Sequence, residues 1–351
     1  MGLIGKDPIN ILQGEISPLL DLPYLKFLDL SLNDFHQDSI PEFIGSLQYI
    51  EYLNLSNANF RGTIPTNLGN LSHLEVLDLS GNCFSLKADN LNWVYGLSSL
   101  KVLYLGGVDL SNADDWLDAV NMLPTLVELS LFFCKFHKLP QNLPHVNFTS
   151  LKILDLSYND FSSTIPDWLF DIGHSLVYLN LSRCPIPLTL GLFQKKGLPL
   201  STSSSLRELY LSNNRLNGSL EQSLAQFSQL VVLNMAGNHL EGNITEAQLQ
   251  KFRSLQVLDL SSNRLVLKDQ EYEFVFQFLH GYVPNLSSQL QLSPLDLSSN
   301  SFNSPLPGFS ANLRGILNFV EFRFQRYART MNHSEIHNVR EEKKKTKMAL
   351  Q

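Results

Sequence analysis

Residues 25–35 read LKFLDLSLNDF, 74–84 LEVLDLSGNCF, 151–161 LKILDLSYNDF and 255–265 LQVLDLSSNRL. These are one phrase, L-x-x-L-x-L-x-x-N-x-F/L, written four times. Further copies start at Ile50, Leu100, Leu126, Leu176, Leu206, Leu230 and Leu292. Most steps between starts are 24 to 26 residues; those from Leu176 to Leu206 and from Leu255 to Leu292 are longer. A fixed period of this size means a stack of units, each too small to bury its own apolar face.

The template is that of a leucine-rich repeat. It predicts an α/β right-handed solenoid, a horseshoe with short parallel strands on the concave face. The convex face should carry 3-10 turns, short helices and loops. Side chains in a strand alternate between faces, so the Leu residues should point in and the residues between them out. A second signature, L-x-G-x-I-P, recurs on the return path. Phe60 to Pro65 is its best copy, with others at Leu216–Leu220 and Leu240–Ile244 and partial ones at Ile40–Pro41 and Ile165–Pro166. It alternates like a second short strand. Residues 1–24 read as an incomplete first repeat without an N-terminal cap, 25–313 as about eleven repeats, and 314–351 as a basic, disordered tail.

Inside each repeat one polar residue should be buried. Asn33, Asn82, Asn159, Asn214, Asn238, Asn263 and Asn300 follow the strands. Their amides are predicted to bond the backbone of their own turn and the next, forming a ladder. Cys134 and Cys184 stand at the same template position, two repeats apart. Strands about 4.8 Å apart place them roughly 10 Å from each other, too far for a disulfide. Both, and Cys83, read as free thiols.

Composition narrows the function. The chain has 351 residues, 44% hydrophobic and 17% charged, with a formal net charge of −7. From Arg314 on, nine Lys/Arg face four Asp/Glu, a net of +5, which leaves −12 for the rest. An acidic body argues against a nucleic-acid partner. No Gly-rich phosphate loop, G-x-S-x-G, H-E-x-x-H or C-x-x-C occurs, so no enzyme chemistry, metal or cofactor is expected. His333 and His337 have metal-like spacing but lie in the charged tail, and they read as solvated. The first residues lack the basic and apolar pattern of a secretory signal. No run approaches the ~20 apolar residues of a membrane helix.

Sequons for N-glycosylation occur at Asn54, Asn70, Asn147, Asn180, Asn217, Asn243, Asn285 and Asn332. Their density suits a secreted or cell-surface glycoprotein. On the concave face, the position after the second Leu runs Asp29, Asn54, Asp78, Tyr104, Ser130, Asp155, Asn180, Tyr210, Asn234, Asp259, Asp296. Departures from template around the middle repeats are Tyr104, Phe132, Phe133, Tyr158, Tyr178, Arg183, Arg207 and Tyr210. Aromatic residues and Arg dominate interface energies, so these eight form the candidate ligand-binding patch. Trp93 and Trp116 fall on the return side, and Asp114 and Asp115 read as a helix start.

Several stretches carry a resemblance beyond the generic repeat. They are Gly14–Leu20, Asn90–Trp93 leading to Leu97–Leu100, Val108–Ser111 with Asp115–Leu117, Asn121–Pro124, Ile244–Ala247 and Val283–Ser287 before Leu295–Asn300. Over Leu12 to Leu313 the chain resembles the ectodomain of plant leucine-rich-repeat receptor-like proteins, in the class that holds receptors for fungal ethylene-inducing xylanase. The resemblance implies a plasma-membrane receptor in plant defence with extracellular repeats. Its ligand would be a microbial protein or peptide, and a partner receptor kinase would signal. That class also has a signal peptide, a cysteine-bearing cap and a membrane helix, none of which this sequence shows, so the expectation is a truncated ectodomain. Two other readings stand beside it: a secreted polygalacturonase-inhibitor-like protein, and a truncated gene product without function.

Overall fold

The computed structural model describes residues 19, 21–82, 85–147, 149–189, 205–219, 229–244 and 254–267, and the strands Leu295–Asp296 and Leu317–Asn318. Two units divide the chain: Met1–Leu188 with Leu192–Arg215, and Thr189–Gly191 with Leu216–Gln351. Cys83, Asn285, Asn300, Asn332, His333, His337, the repeat start Leu292, most of residues 1–24 and the tail other than Leu317–Asn318 lie outside the described residues.

In the first unit each template copy gives a strand of three residues. The strands are Phe27–Asp29, Tyr52–Asn54, Val76–Asp78, Val102–Tyr104, Glu128–Ser130, Ile153–Asp155, Tyr178–Asn180 and Glu208–Tyr210. All pair in parallel and in register, so Leu28, Leu53, Leu77, Leu103, Leu129, Leu154, Leu179 and Leu209 form one column. Each of these Leu residues is at most 6% exposed. Burial of one such side chain contributes about 1.5–3 kcal/mol. The residues flanking it are half-buried or exposed, as strand alternation requires.

The second unit repeats this rule. Val232–Asn234, Val257–Asp259, Leu295–Asp296 and Leu317–Asn318 pair in sequence order, all parallel. The last strand lies four residues past the boundary drawn at Leu313, so the ladder runs on there. The return signature also forms strands. Gly62–Thr63 pairs with Leu86–Lys87 in the first unit. In the second, His239–Ile244 pairs with Arg264–Leu267.

Opposite the strands the backbone tightens into 3-10 helices, Glu42–Ser46, Thr66–Asn70 and Asn92–Gly96. The first two start after Pro41 and Pro65 in extended conformation, where Pro costs no hydrogen bond. The helices stack at contact distance. A methyl on Gly69 would run into the carbonyl of Trp93, and one on Gly96 into that of Gly69. Glycine in L-G-N-L and Y-G-L-S is therefore a packing requirement.

An α-helix, Trp116–Asn121, occupies the same return path one repeat later. Asp115 precedes it, as the sequence indicated. Its carboxylate caps a neighbour instead of its own helix, accepting the Leu91 N–H at 3.1 Å. Trp116 packs against the Phe136 ring at 5.3 Å in a tilted arrangement and meets Trp168 edge-on at 6.3 Å. The Trp residues here are core, and Trp116 is 2% exposed.

The Asn ladder exists, but it reaches backward. Asn82 donates to Leu79 O of its own turn at 2.9 Å and to Leu55 O of the preceding repeat at 3.0 Å. Its Oδ1 accepts the N–H groups of Ala58 and Phe60, also in the preceding repeat. Asn159 does the same for Leu131, Cys134 and Phe136, and Asn214 for Leu181, Cys184 and Ile186. The expected direction, toward the next turn, is reversed. Asn33 is only half-buried.

Cys134 and Cys184 are free and fully buried. Each thiol donates backward to a carbonyl, Cys134 to Leu105 O at 3.2 Å and Cys184 to Leu156 O at 3.1 Å. That copies one of the Asn contacts. Desolvation raises both thiols, Cys184 to about 12.

Candidate ligand-binding surface

The outward column read from the sequence is a real column of the sheet. Asp29, Asn54, Asp78, Tyr104, Ser130, Asp155, Asn180 and Tyr210 are successive register partners. Its Asp and Asn members have a structural task. The side chains of Asp29, Asn54, Asp78, Asp155 and Asn180 each accept the backbone N–H two residues on, at 2.9 to 3.0 Å. They close the turn that leaves the strand, the usual work of Asx side chains. Tyr104, Ser130 and Tyr210 give up that bond.

The eight predicted residues divide into two groups. Tyr104, Tyr178, Arg207 and Tyr210 lie on or beside the strands and are half-buried. Tyr104 donates its phenol to Glu128 Oε2 of the next strand. Tyr210 donates to Glu208 at 3.0 Å. The Tyr178 and Tyr210 rings meet at 5.3 Å. Burial, then the Glu128 and Glu208 carboxylates, push the Tyr104 and Tyr210 phenols up. Burial and Asp155 do so for Tyr178. Two strands separate Tyr104 from the Tyr178 strand, a step of about 14 Å, so Tyr104 stands apart from the Tyr178–Tyr210 pair.

Phe132, Phe133, Tyr158 and Arg183 lie instead on the turn after the strands. Phe132 takes the place Ser holds in other repeats, and its ring covers Gly106, where a methyl would collide with it. Phe133, Tyr158 and Arg183 share a different position, the one just before the ladder residue. That position is left-handed in every described repeat of the first unit. It holds Leu32, Asn57, Gly81, Gly107, Phe133, Tyr158, Arg183 and Asn213, with φ between 51° and 81°. The same holds in the second unit at Gly237 and Ser262.

Gly and Asn enter this conformation readily; branched and bulky residues do so at a cost of about 1 kcal/mol or more each. Phe133, Tyr158 and Arg183 are three such residues in succession. Their side chains touch. The Phe133 and Tyr158 rings meet edge-to-face at 6.2 Å, and the Arg183 guanidinium lies 5.1 Å from the Tyr158 ring centre. Phe133 and Tyr158 are 46% and 50% exposed, and Arg183 is exposed. Backbone bonds from each residue to the carbonyl of the next repeat hold the row, as with Tyr158 N to Ser182 O at 2.8 Å.

Sequence reading passed over other aromatic contacts. Phe27 and Tyr52 stack at 4.1 Å on the first two strands. Tyr24, Tyr49 and His73 form a second row at the approach to the strands. Their signal lay in template columns adjacent to the one followed. Among the glycosylation acceptors, Asn70, Asn147 and Asn217 are exposed, and Asn54 and Asn180 are half-buried on the strand face. The Asn243 side chain is outside the described residues. Among the described residues no cluster could hold a metal ion. None of their helices is long and apolar enough to cross a membrane.

Known proteins share the repeat and its fold. The family profile described as Leucine Rich Repeat matches residues 49–71, 150–172 and 205–227, and a second, Leucine Rich repeat, matches 70–87. Receptor-like protein EIX2 of Solanum lycopersicum is 35% identical over 264 residues, 73% of this chain and 25% of that protein. Receptor-like protein EIX1 of the same species is 37% identical over 175 residues, 48% of this chain and 17% of that protein. The chain thus spans a quarter or less of these relatives. Among solved structures, the ectodomain of the Arabidopsis receptor kinase HAESA, in complex with a peptide hormone, is similar with a TM-score of 0.57 and 26% identity. That match covers 86% of this chain and 54% of the other. The chain belongs to the leucine-rich-repeat proteins, and its sequence groups it with the receptor-like proteins of plants.

Proposed function

We propose that this repeat array is the ligand-recognition part of a plant cell-surface receptor in defence. It would bind a microbial protein or peptide outside the cell and signal through a partner receptor kinase. One observation carries the reading. Three successive repeats place Phe133, Tyr158 and Arg183 where the backbone favours Gly or Asn, and they leave these side chains in mutual contact and exposed. Strain retained at the surface, with no gain to the core, is a mark of a functional position. The residue types are those that anchor interfaces. The HAESA relative, a repeat ectodomain described with a peptide hormone bound, supports a peptide or protein as the ligand class. The sequons and the plant receptor-like relatives support an extracellular, glycosylated chain tied to the plasma membrane.

The test is direct binding of a purified fungal xylanase and a set of synthetic microbial peptides to the immobilised chain. The triple variant Phe133→Ala, Tyr158→Ala, Arg183→Ala serves as comparison. Saturable binding to the native chain should weaken at least tenfold in the variant. Equal binding by both removes the row from the site, and no binding by the native chain removes the elicitor reading.

A further inference from the structure

The sequons occupy two different kinds of turn. In the first kind the Asn side chain is already engaged. Asn180 Oδ1 accepts the Ser182 N–H at 3.0 Å, and its Nδ2 donates to Asp155 Oδ2 and Tyr178 Oη, both at 3.3 Å. Asn54 Oδ1 accepts the Ser56 N–H at 3.0 Å, and its Nδ2 donates to Tyr52 Oη at 3.3 Å. The hydroxyl residues of these sequons are buried, Ser56 at 6% and Ser182 at 8% exposure.

In the second kind the backbone does that work. The Ser72 N–H donates to the main-chain carbonyl of Asn70 at 2.9 Å, and the Thr149 N–H to that of Asn147 at 2.8 Å. Asn70, Ser72, Asn147 and Thr149 are all exposed. Among the described residues, the Asn70 and Asn147 side-chain amides make no hydrogen bond. Asn70 ends the 3-10 helix Thr66–Asn70 on the return path, away from the strand face.

We infer that Asn70 and Asn147 carry N-linked oligosaccharide and that Asn54 and Asn180 stay bare in the folded protein. Modification joins the Asn Nδ2 to the anomeric carbon of a polyprenyl-diphosphate-linked oligosaccharide. The C1–O bond to phosphate breaks, polyprenyl diphosphate departs with the electron pair, and the amide gives up one proton. At Asn70 and Asn147 the nitrogen is open to this attack. At Asn54 and Asn180 it is bound within the sheet surface, and the required hydroxyl is covered. A repeat buries these groups as soon as it stacks on its neighbour, so folding withdraws both acceptors. The consequence is a strand face left clear around Tyr178 and Tyr210, with sugar on the flank and the return path.

This rests on the extracellular part of the reading above, but its test stands apart from ligand binding and from native export. The full chain is fused to a secretory leader and expressed in plant cells. Site occupancy in the secreted, folded fraction is read by glycopeptide mass spectrometry. Asn70 and Asn147 should be occupied in most copies, and Asn70→Gln or Asn147→Gln should each remove one glycan's mass. Asn54 and Asn180 should be occupied in few. In Leu154→Asp, which breaks the core beside this strand, the retained chain should gain glycan at Asn180. Majority occupancy of Asn54 or Asn180 in the folded fraction, or bare Asn70 and Asn147, overturns the inference. So does Asn180 remaining bare in the Leu154→Asp chain, because the fold would then not be what protects it.

Discussion

Tyr158 and Asn159 are neighbours in the chain and opposites in duty. Tyr158 is 50% exposed and Asn159 2%. One left-handed residue turns the backbone, so the side chain before the ladder faces water and the next faces the core. On the inner side, chemistry is fixed by unmet hydrogen-bond demand, and only Asn or Cys answers it with polar groups. On the outer side the backbone asks for a small residue and nothing enforces the request. Function can therefore be written on the outer side at little cost to the fold.

Breaking the inner side should have the largest effect. Asn159→Ala leaves Leu131 O, Cys134 N and Phe136 N without their partner. Loss of about 3 kcal/mol or more is expected, since each buried unsatisfied group costs about 1–3 kcal/mol. A denaturant midpoint unchanged from the native chain would show that water can replace the amide.

The thiols that take the Asn position sharpen the same point through pH. Burial keeps both protonated in the folded chain, Cys184 with its pKa pushed up to about 12. Unfolded thiols ionise from about pH 8.5. Above that pH the unfolded chain binds fewer protons than the folded one, so stability falls as pH rises, by up to about 1.4 kcal/mol per unit for each thiol. Chemical unfolding at pH 8 and pH 10 should show this slope in the native chain. The slope should shrink in the double variant Cys134→Ala, Cys184→Ala.

Changing the outer side should leave the fold standing. Phe133→Gly, Tyr158→Gly, Arg183→Gly relieves three left-handed side chains, about 1 kcal/mol or more each. It forfeits two ring contacts of about 0.5–1.5 kcal/mol each. Thermal unfolding within a few degrees of native, or above it, is the expected outcome; a collapse would make the row structural. The smallest effect is at Leu32, 78% exposed with φ of 57°. Leu32→Asn should raise stability by about 0.5–1 kcal/mol, read as a small upward shift of the midpoint.

Much of this was legible beforehand. The Leu column, the outward column and the ladder follow from period and alternation, and the ladder Cys residues were read as free thiols from spacing alone. The patch residues were read from the sequence as one surface. Their separation into a strand group and a turn group depends on backbone φ, which Phe133, Tyr158 and Arg183 conceal because their types do not favour it. Gly81, Gly107, Gly237, Asn57 and Asn213 at the same template position held the clue. The backward reach of Asn82 was not readable either, because both neighbouring turns offer the same carbonyls and N–H groups. Asp115 was recognised as a helix start, but its bond to Leu91 belongs to the stack and leaves no local pattern.

The reversed ladder gives the stack a direction of failure. Each amide completes the turn of the repeat before it, so among the ladder bonds a repeat that comes loose uncovers backbone donors and a carbonyl on its N-terminal neighbour, and on the neighbour that follows only the side-chain amide that reached into it. Opening should therefore spread from later repeats toward earlier ones, as a zip parts from one end. Amide hydrogens of Ala58 and Phe60 would be released with Asn82's repeat, ahead of their own.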